Sequence, residues 1–471
     1  MNADFSAAIY LANGTLDATF SPGGAEGNGR GVYPTPGADT MYSMAVQSDG
    51  KILLAGSTNT GDEDVMVMRL TTTGALDPTF APGGADGNGI FTLVRAGSNE
   101  QPYGLQVDSN GGIYIGSLWT GASDILLARL DANGALDATF SPGGSDGNGI
   151  LIVDTGGSEY LYAMDVAPNG DVVATTSRNN ADIVVVRVDR TGTLVPTFAP
   201  GGADGNGIAT VGNADPEVPR GIRVLADGSI VVSGYTDVAN ADARLWKLTP
   251  TGALDPTFGV GGTDGNGIAT FDFTGSADWL RTIREQADGK LVVVGHSGNG
   301  ANEDIAVLRT TAAGVADPTF SAAGAGGDGR ARVDFGGNEQ GYGFTILDDG
   351  SFIVGGSSSS GNFSLARFGS DTIANYAGTW AGGTNTFAAC LVDASAGAAQ
   401  WNEVGTGNCL TTTNTAWNPV PADTSGGIAD VVTFSGPASG ATVDLRFGMR
   451  TATNQPPGAY VAPITFSFVA P

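Results

Sequence analysis

The sequence predicts an all-β chain: a β-propeller of six or seven four-stranded blades followed by a small antiparallel β-sandwich. Three observations carry this reading. A short word ending in phenylalanine returns at Phe20, Phe80, Phe140, Phe198, Phe258 and Phe320, at spacings of 60, 60, 58, 60 and 62 residues, the signature of one supersecondary unit repeated. Each copy holds the same succession of short apolar runs and tight turns. No segment of helical period and useful length interrupts them, and meanders repeated round an axis leave only short edges.

The elements follow in a constant order. The chain opens on "NADFSAAIYLANGTLDATF", which matches the last strand of a unit and its tail. Next comes a Gly-rich opening loop, "PGGAEGNG" and its relatives, then a short strand such as "FTLV" or "ATFDF". A hairpin follows, centred on Asp49-Gly50, Asn110-Gly111, Asn169-Gly170, Asp227-Gly228, Asp288-Gly289 and Asp349-Gly350, pairs that tolerate the positive φ of a tight turn. A further strand, "DVMVMRL" or "DILLARL", closes the unit. Six such four-strand sets run from about residue 31 to residue 369, preceded by one extra strand. Strand sharing that closes a ring should leave a total divisible by four, so a seventh blade completed by the segment after residue 370 stands as the alternative. The domains expected are a propeller over 1–370 and a second module over 371–471.

The pattern "QSDGKILLAG...DVMVMRLTTTGALDPTF" resembles the delta-60 repeat β-propeller family of bacterial secreted and surface proteins. The resemblance covers roughly residues 1 to 370 in six registered copies. It implies a propeller and an extracellular or cell-surface setting, and no activity that could be transferred. The chain departs from the family by the long insert "PGGADGNG", where shorter "GG-DG" loops are common.

The composition excludes several functions. The 75 glycines follow no Gly-X-Y period, so a collagen is ruled out. With 48 Asp and Glu against 21 Lys and Arg, the net charge is −27, which repels nucleic acid and anionic membranes. No apolar run is long enough to span a bilayer, and no positively charged, apolar secretory segment opens the chain.

Recurrent polar residues read mainly as scaffold. Asp4, Asp64, Asp124, Asp182, Asp242 and Asp304 open the closing strand, and Arg69, Arg129, Arg187, Lys247, Arg309 and Arg367 follow five residues after the Asp or its Asn362 counterpart. That odd offset puts the two on opposite strand faces, so each is expected to pair with a neighbouring blade. Asp17, Asp77, Asp137, Asp255 and Asp317 precede the "PTF" or "ATF" turn and should accept its downstream N–H. In the opening loops the fragment D-x-N-G resembles the start of an oxygen-rich calcium loop. It makes Asp86, Asn88, Asp146, Asn148, Asp204, Asn206, Asp264 and Asn266 the candidate calcium ligands, although the later acidic ligand is lacking. No other cofactor is expected.

Enzyme constellations are sparse. His296 is the only histidine, which removes zinc clusters and His relays; its place after a hairpin strand suggests a solvated loop residue. Trp119, Trp246 and Trp279 are singular within their copies. Trp246 is expected to pack within its strand, leaving Trp119 and Trp279 as a candidate ligand or partner surface. Stretches 118–124 and 212–221 depart from the repeat and are further binding candidates.

After Phe368 the repeat stops. Runs such as "FAACLV", "ATVDLRFGMR" and "PITFSFVAP" suit a small sandwich, and the ending resembles the final strands of bacterial surface and pilus-like sandwich domains. Cys390 and Cys409, the only two cysteines, suit one local disulfide. A terminal strand could complete its own sheet or a neighbour's. These readings converge on a non-catalytic extracellular or cell-surface structural protein, with the propeller as display platform and the second module for attachment. Its partners would be other protein subunits, cell-surface components or glycans. A carbohydrate-binding, lectin-like adhesin is the alternative, and a glycoside hydrolase or lyase the distant third.

Overall fold

The computed structural model describes residues 4–369, apart from positions 12–14, 25–26, 85–86, 88, 96, 122, 145–146, 158, 180, 203, 213–214, 237–240, 261–266, 274, 322–328, 348–349 and 359–362; beyond them it describes 387–394, 418–420 and 443–449. The chain divides into two compact units, Met1–Phe368 and Gly369–Pro471.

The first unit is all β. A two-stranded sheet of β1 (Phe5–Ala8) and β2 (Arg30–Tyr33) comes first. The first full blade holds β3 (Ala38–Val46), β4 (Ile52–Asn59), β5 (Glu63–Leu70) and β6 (Ile90–Leu93). The second holds β7 (Glu100–Val107), β8 (Ile113–Trp119), β9 (Asp124–Leu130) and β10 (Ile150–Val153), and the third β11 (Glu159–Val166), β12 (Val172–Arg178), β13 (Asp182–Val188) and β14 (Ile208–Val211). The fourth comprises β15 (Glu217–Val224), β16 (Ile230–Thr236), β17 (Ala243–Leu248) and β18 (Ile268–Phe271). The fifth comprises β19 (Asp278–Glu285), β20 (Leu291–Gly298), β21 (Glu303–Thr310) and β22 (Arg330–Val333). The sixth has three strands, β23 (Gln340–Ile346), β24 (Phe352–Ser357) and β25 (Phe363–Phe368). All neighbours are antiparallel, and the first strands of successive blades lie against one another.

The strands are dealt to blades with an offset of one from the sequence units. The strand after each opening loop is the outer edge of the preceding blade: β6 pairs with β5 through Val65↔Leu93 and Met68↔Ile90. The reason is local. The Gly89 N–H donates to Phe80 O at 2.7 Å and the Arg69 N–H to Gly89 O at 3.0 Å, so the "LDPTF...GNG" segment is the turn of a hairpin that folds the chain back on β5. The repeated loop is therefore a piece of geometry. Among the described residues β2 pairs with β1, and no ladder joins it to β25.

Burial is between blades. Six apolar clusters each hold one of the recurrent phenylalanines, from Phe20 with Leu54 and Met66 to Phe320 with Val294 and Phe352. The residue after the ring turns left-handed (Ala81, Ser141 and Ala199, φ 43° to 46°). That turn aims its N–H at the next blade, where Asn133, Thr191 and Thr251 carbonyls accept at 2.6 to 2.8 Å.

In the second unit, β26 (Phe387–Ala394) lies between β27 (Asn418–Val420) and β28 (Val443–Met449) in one antiparallel sheet. Cys390 stands on β26, opposite Arg446 in register. Cys409, and with it the expected disulfide, lies outside the described residues, as do the second sheet of the expected sandwich and its terminal strand.

Candidate functional site

Each first strand carries a β-bulge at one level. The register shifts at Tyr42 in β3, Tyr103 in β7, Tyr162 in β11, Arg220 in β15, Arg281 in β19 and Tyr342 in β23. A bulge re-aims one side chain out of the pleat, and here it makes those of neighbouring blades meet. The Tyr42 and Tyr103 ring centroids are 4.8 Å apart, Arg220 lies over the Tyr162 ring at 4.8 Å, and Arg281 over the Tyr342 ring at 5.1 Å. Burial, then Tyr42, pushes the Tyr103 phenol up to about 12, with Arg220 pulling the other way.

A second tier lies beside the arginines. Arg220 donates to the Tyr235 hydroxyl at 3.1 Å, Tyr235 stacks on Trp279 at 5.1 Å, and Trp279 meets His296 edge-on at 4.9 Å. His296 is not a solvated loop residue. It sits on β20, 2% exposed, because the strand runs on through Gly295-His296-Ser297 to Gly298. Burial, then Arg281 and Arg220, lowers it to about 3, so it is neutral at physiological pH. Arg220 and Arg281 are half-buried and make no ion pair among the described residues, and the Nε of each lacks a hydrogen-bond partner. Burial, then the like charge of Arg220, pulls Arg281 below its ordinary value. Two guanidiniums set among aromatic rings, with Glu303 acting on Arg281 but no ion pair to either among the described residues, form a local anion-attracting spot with flat apolar faces in a chain of net charge −27.

Of the residues singled out from sequence, Trp279 belongs to this girdle and Trp119 does not; Arg95 covers the Trp119 ring at 4.8 Å. Trp246 is fully buried between blades. Arg220 lies in the irregular stretch 212–221, but the other bulge residues were missed. Their signal is an acid three residues upstream, in "DTMY", "EQPY", "EYLY", "EVPR", "DWLR" and "EQGY".

The opening-loop candidates divide. Asp86, Asn88, Asp146, Asp264 and Asn266 lie outside the described residues. Asn148 Oδ1 accepts the Gly143 N–H at 2.7 Å and Asn206 Oδ1 the Gly201 N–H at 2.9 Å, each closing its own turn. Asp204 accepts from Arg178 at 2.8 Å and from Thr210. The turn aspartates behave as expected, with Thr79 N–H and Thr139 N–H donating to Asp77 and Asp137 at 3.0 and 2.9 Å. The strand arginines take that same turn as partner, within their own blade: Arg69 Nε to Asp77 is 2.8 Å, and only the donation to Ala132 O crosses to the next blade. Where Val195 replaces the turn acid, Arg187 pairs instead with Asp171 at 2.9 Å.

The acids that begin the first strands are buried at the blade junctions. Glu100 is 0% exposed, its Oε1 accepts from Ser98, and its Oε2 has no partner. Burial, then Asp64, raises its carboxyl to about 7 against the pull of Ser98 and Arg95. A folded pKa above the ordinary 4.5 means stability that is complete below 4.5 and lost as pH rises through about 7. Glu100→Gln is therefore expected to flatten the fall in melting temperature between pH 5 and 7.5 and to raise it by about 2–4 °C at pH 7.5, read by differential scanning calorimetry. An unchanged slope would assign that fall to other groups.

Four segments, 47–80, 109–140, 225–258 and 286–320, match a family model described as "Domain of unknown function (DUF5122) beta-propeller". Each runs from the hairpin turn through the third strand to the Phe that ends the word. No curated protein matches the sequence. Among solved structures, the chain is similar to a protein of unknown function from Bacteroides caccae, at 10% identity over 67% of this chain and 90% of that one, with a TM-score of 0.38. It is also similar to the β-propeller domain of the Trilobed protease from Pyrococcus furiosus (5% identity, 70% and 82% covered, TM-score 0.36). A third likeness is to an exo-β-1,3-galactanase from Clostridium thermocellum (10% identity, 78% and 86% covered, TM-score 0.34). At these values the likenesses carry no functional inference. With the matched unit recurring through stacked antiparallel blades, the chain is a β-propeller repeat protein.

Proposed function

We propose that the propeller is a non-catalytic binding and display module of an extracellular or cell-surface protein, and that its bulge girdle takes an acidic carbohydrate. The supporting observation is the pairing of Arg220 and Arg281 with aromatic faces, neither making an ion pair among the described residues. Sugar rings stack on aromatic faces, and a guanidinium takes a carboxylate or sulfate in bidentate fashion. The chain's negative charge turns away other polyanions, so the local positive spot selects a ligand that also fits the rings. Association with further protein subunits is the second reading, favoured by the third strand of the sixth blade, which among the described residues has no outer partner of the kind the five full blades have.

A glycan array of neutral, uronic-acid and sulfated oligosaccharides tests the first reading. Retention of acidic members is expected, weakened tenfold or more in Arg220→Gln/Arg281→Gln, with the melting temperature retained. Binding of neutral glycans alone, no binding, or acidic binding that survives the double substitution would overturn it.

A further inference from the structure

The blade junctions repeat one pair of acids. The acid at the start of a third strand meets the acid that opens the next blade's first strand: Asp64 acts on Glu100, Asp124 on Glu159, Asp182 on Glu217 and Asp242 on Asp278. Three junctions add a third acid just after the outer strand. In Asp124–Asp154–Glu159, Asp242–Asp272–Asp278 and Asp304–Asp334–Glu339, one carboxylate oxygen from each residue lies within 4.8 Å of the others.

The charge is offset differently from one junction to the next. Arg332 donates to Asp304 through Nε at 3.1 Å and through a closer Nη2, so the third triad carries its own cation. At the two-acid junctions, Arg244 reaches Glu217 at 2.8 Å and Arg95 acts on Glu100. No basic group among the described residues is matched to Asp278 in this way. The charges acting on it are the carboxylates of Asp272 and Asp242. It is 0% exposed, Oδ2 accepts the Phe273 N–H at 2.8 Å, Ser297 opposite it in register steadies the carboxylate, and Oδ1 makes no direct hydrogen bond among the described residues. Glu159 repeats the arrangement: fully buried, one oxygen held by Thr155 at 2.8 Å, the other without a partner. The one basic group acting on it, Arg178, donates to Asp204 at 2.8 Å.

We propose that Asp242, Asp272 and Asp278 hold a calcium ion that clasps the fourth and fifth blades, and that Asp124, Asp154 and Glu159 hold a second between the second and third. The donors are hard oxygens. An ion with bonds of 2.3–2.6 Å bridges oxygens up to about 5 Å apart, whereas magnesium, at about 2.1 Å, reaches only about 4.2 Å. A fully buried carboxylate oxygen without a partner is costly, and a cation seated among the three removes that cost. Two ligands come from one blade and one from the next, so the ion ties together sheets that no ladder joins.

Trp279 follows Asp278 in sequence and serves as the energy donor for bound terbium. At pH 7.5, saturable terbium luminescence excited through tryptophan is expected, displaced by calcium. Calcium should also raise the melting temperature above its value in EDTA, and magnesium at equal concentration should do so much less. Asp278→Asn should weaken the tryptophan-sensitised site tenfold or more, and Asp334→Asn, at the arginine-neutralised junction, should leave it intact. Asp272→Asn, at an exposed position, gives the same readout should Asp278→Asn fail to fold. Trp119 stands opposite Asp124 in register, so terbium at the second site is sensitised as well, and that luminescence should be lost only when Asp154→Asn is added to Asp278→Asn or Asp272→Asn. Absence of a calcium-dependent melting shift, or luminescence that survives both Asp278→Asn/Asp154→Asn and Asp272→Asn/Asp154→Asn, would overturn the proposal.

Discussion

Replacing Phe140 with alanine is expected to lower the stability of the propeller by about 3–5 kcal/mol. The ring is fully buried, meets Tyr114 edge-on at 6.2 Å, and packs with Val184, Val186 and Val188 of the next blade. Removing it opens a cavity between two sheets held together mainly by side chains. Its backbone is fixed at both ends, by Asp137 O accepting the Phe140 N–H at 3.0 Å and Gly149 N–H donating to Phe140 O at 2.7 Å, so the neighbours cannot follow the lost atoms inward. Stacked repeats couple mainly to their nearest neighbours, and the loss should enter as an earlier transition in a urea melt followed by circular dichroism. A change below about 1 kcal/mol would mean that the junction collapses onto the gap.

Asp317→Ala should cost a similar amount, about 3–5 kcal/mol, because it removes a carboxylate that a buried arginine grips through two nitrogens. Asp317 takes Arg309 Nε and Nη2, each at 2.9 Å, Lys290 at 3.2 Å and the Thr319 hydroxyl at 2.8 Å, while Arg309 is 1% exposed. Burial raises the Asp317 carboxyl, but Thr319, Lys290 and Arg309 outweigh it and hold the group at about 2, below the ordinary 3.8. A depressed folded pKa contributes stability that is present above 3.8 and lost as pH falls towards 2. Denaturation across pH 7 to 2 should therefore show the variant less stable at neutrality and less sensitive to acid below pH 4. A variant whose acid limb parallels the wild type would remove Asp317 from the account.

The two pH effects run in opposite directions because the acids occupy different surroundings. Asp317 lies in a turn that gathers donors from its own blade, whereas Glu100 faces Asp64 across a blade junction. The wild type should accordingly be most stable in mildly acidic solution. Calcium, if bound at the Asp278 and Glu159 junctions, would extend that range towards neutrality.

What could be read from the sequence was what neighbouring residues decide together. Phe20 to Phe320 marked the period, Asp-Gly and Asn-Gly pairs the hairpins, and Asp77 and its counterparts the turn before each ring. Even Arg220 fell in a stretch that breaks the repeat. The site itself was not legible as a site. Tyr42, Tyr103, Tyr162, Arg220, Arg281 and Tyr342 are about 60 residues apart, and the bulges that turn them towards one another appear only in strand register.

The same distance separates what sequence determined from what tertiary structure decided. Sequence alone determined an all-β repeat, its turns and its buried ring, because φ preference, hairpin chemistry and apolar alternation are properties of contiguous residues. Only the folded chain decided that each opening-loop strand belongs to the preceding blade, that His296 is buried, and that carboxylates from two blades meet. Those outcomes depend on how one sheet stacks on the next, and the energy of that stacking lies in contacts between residues far apart along the chain.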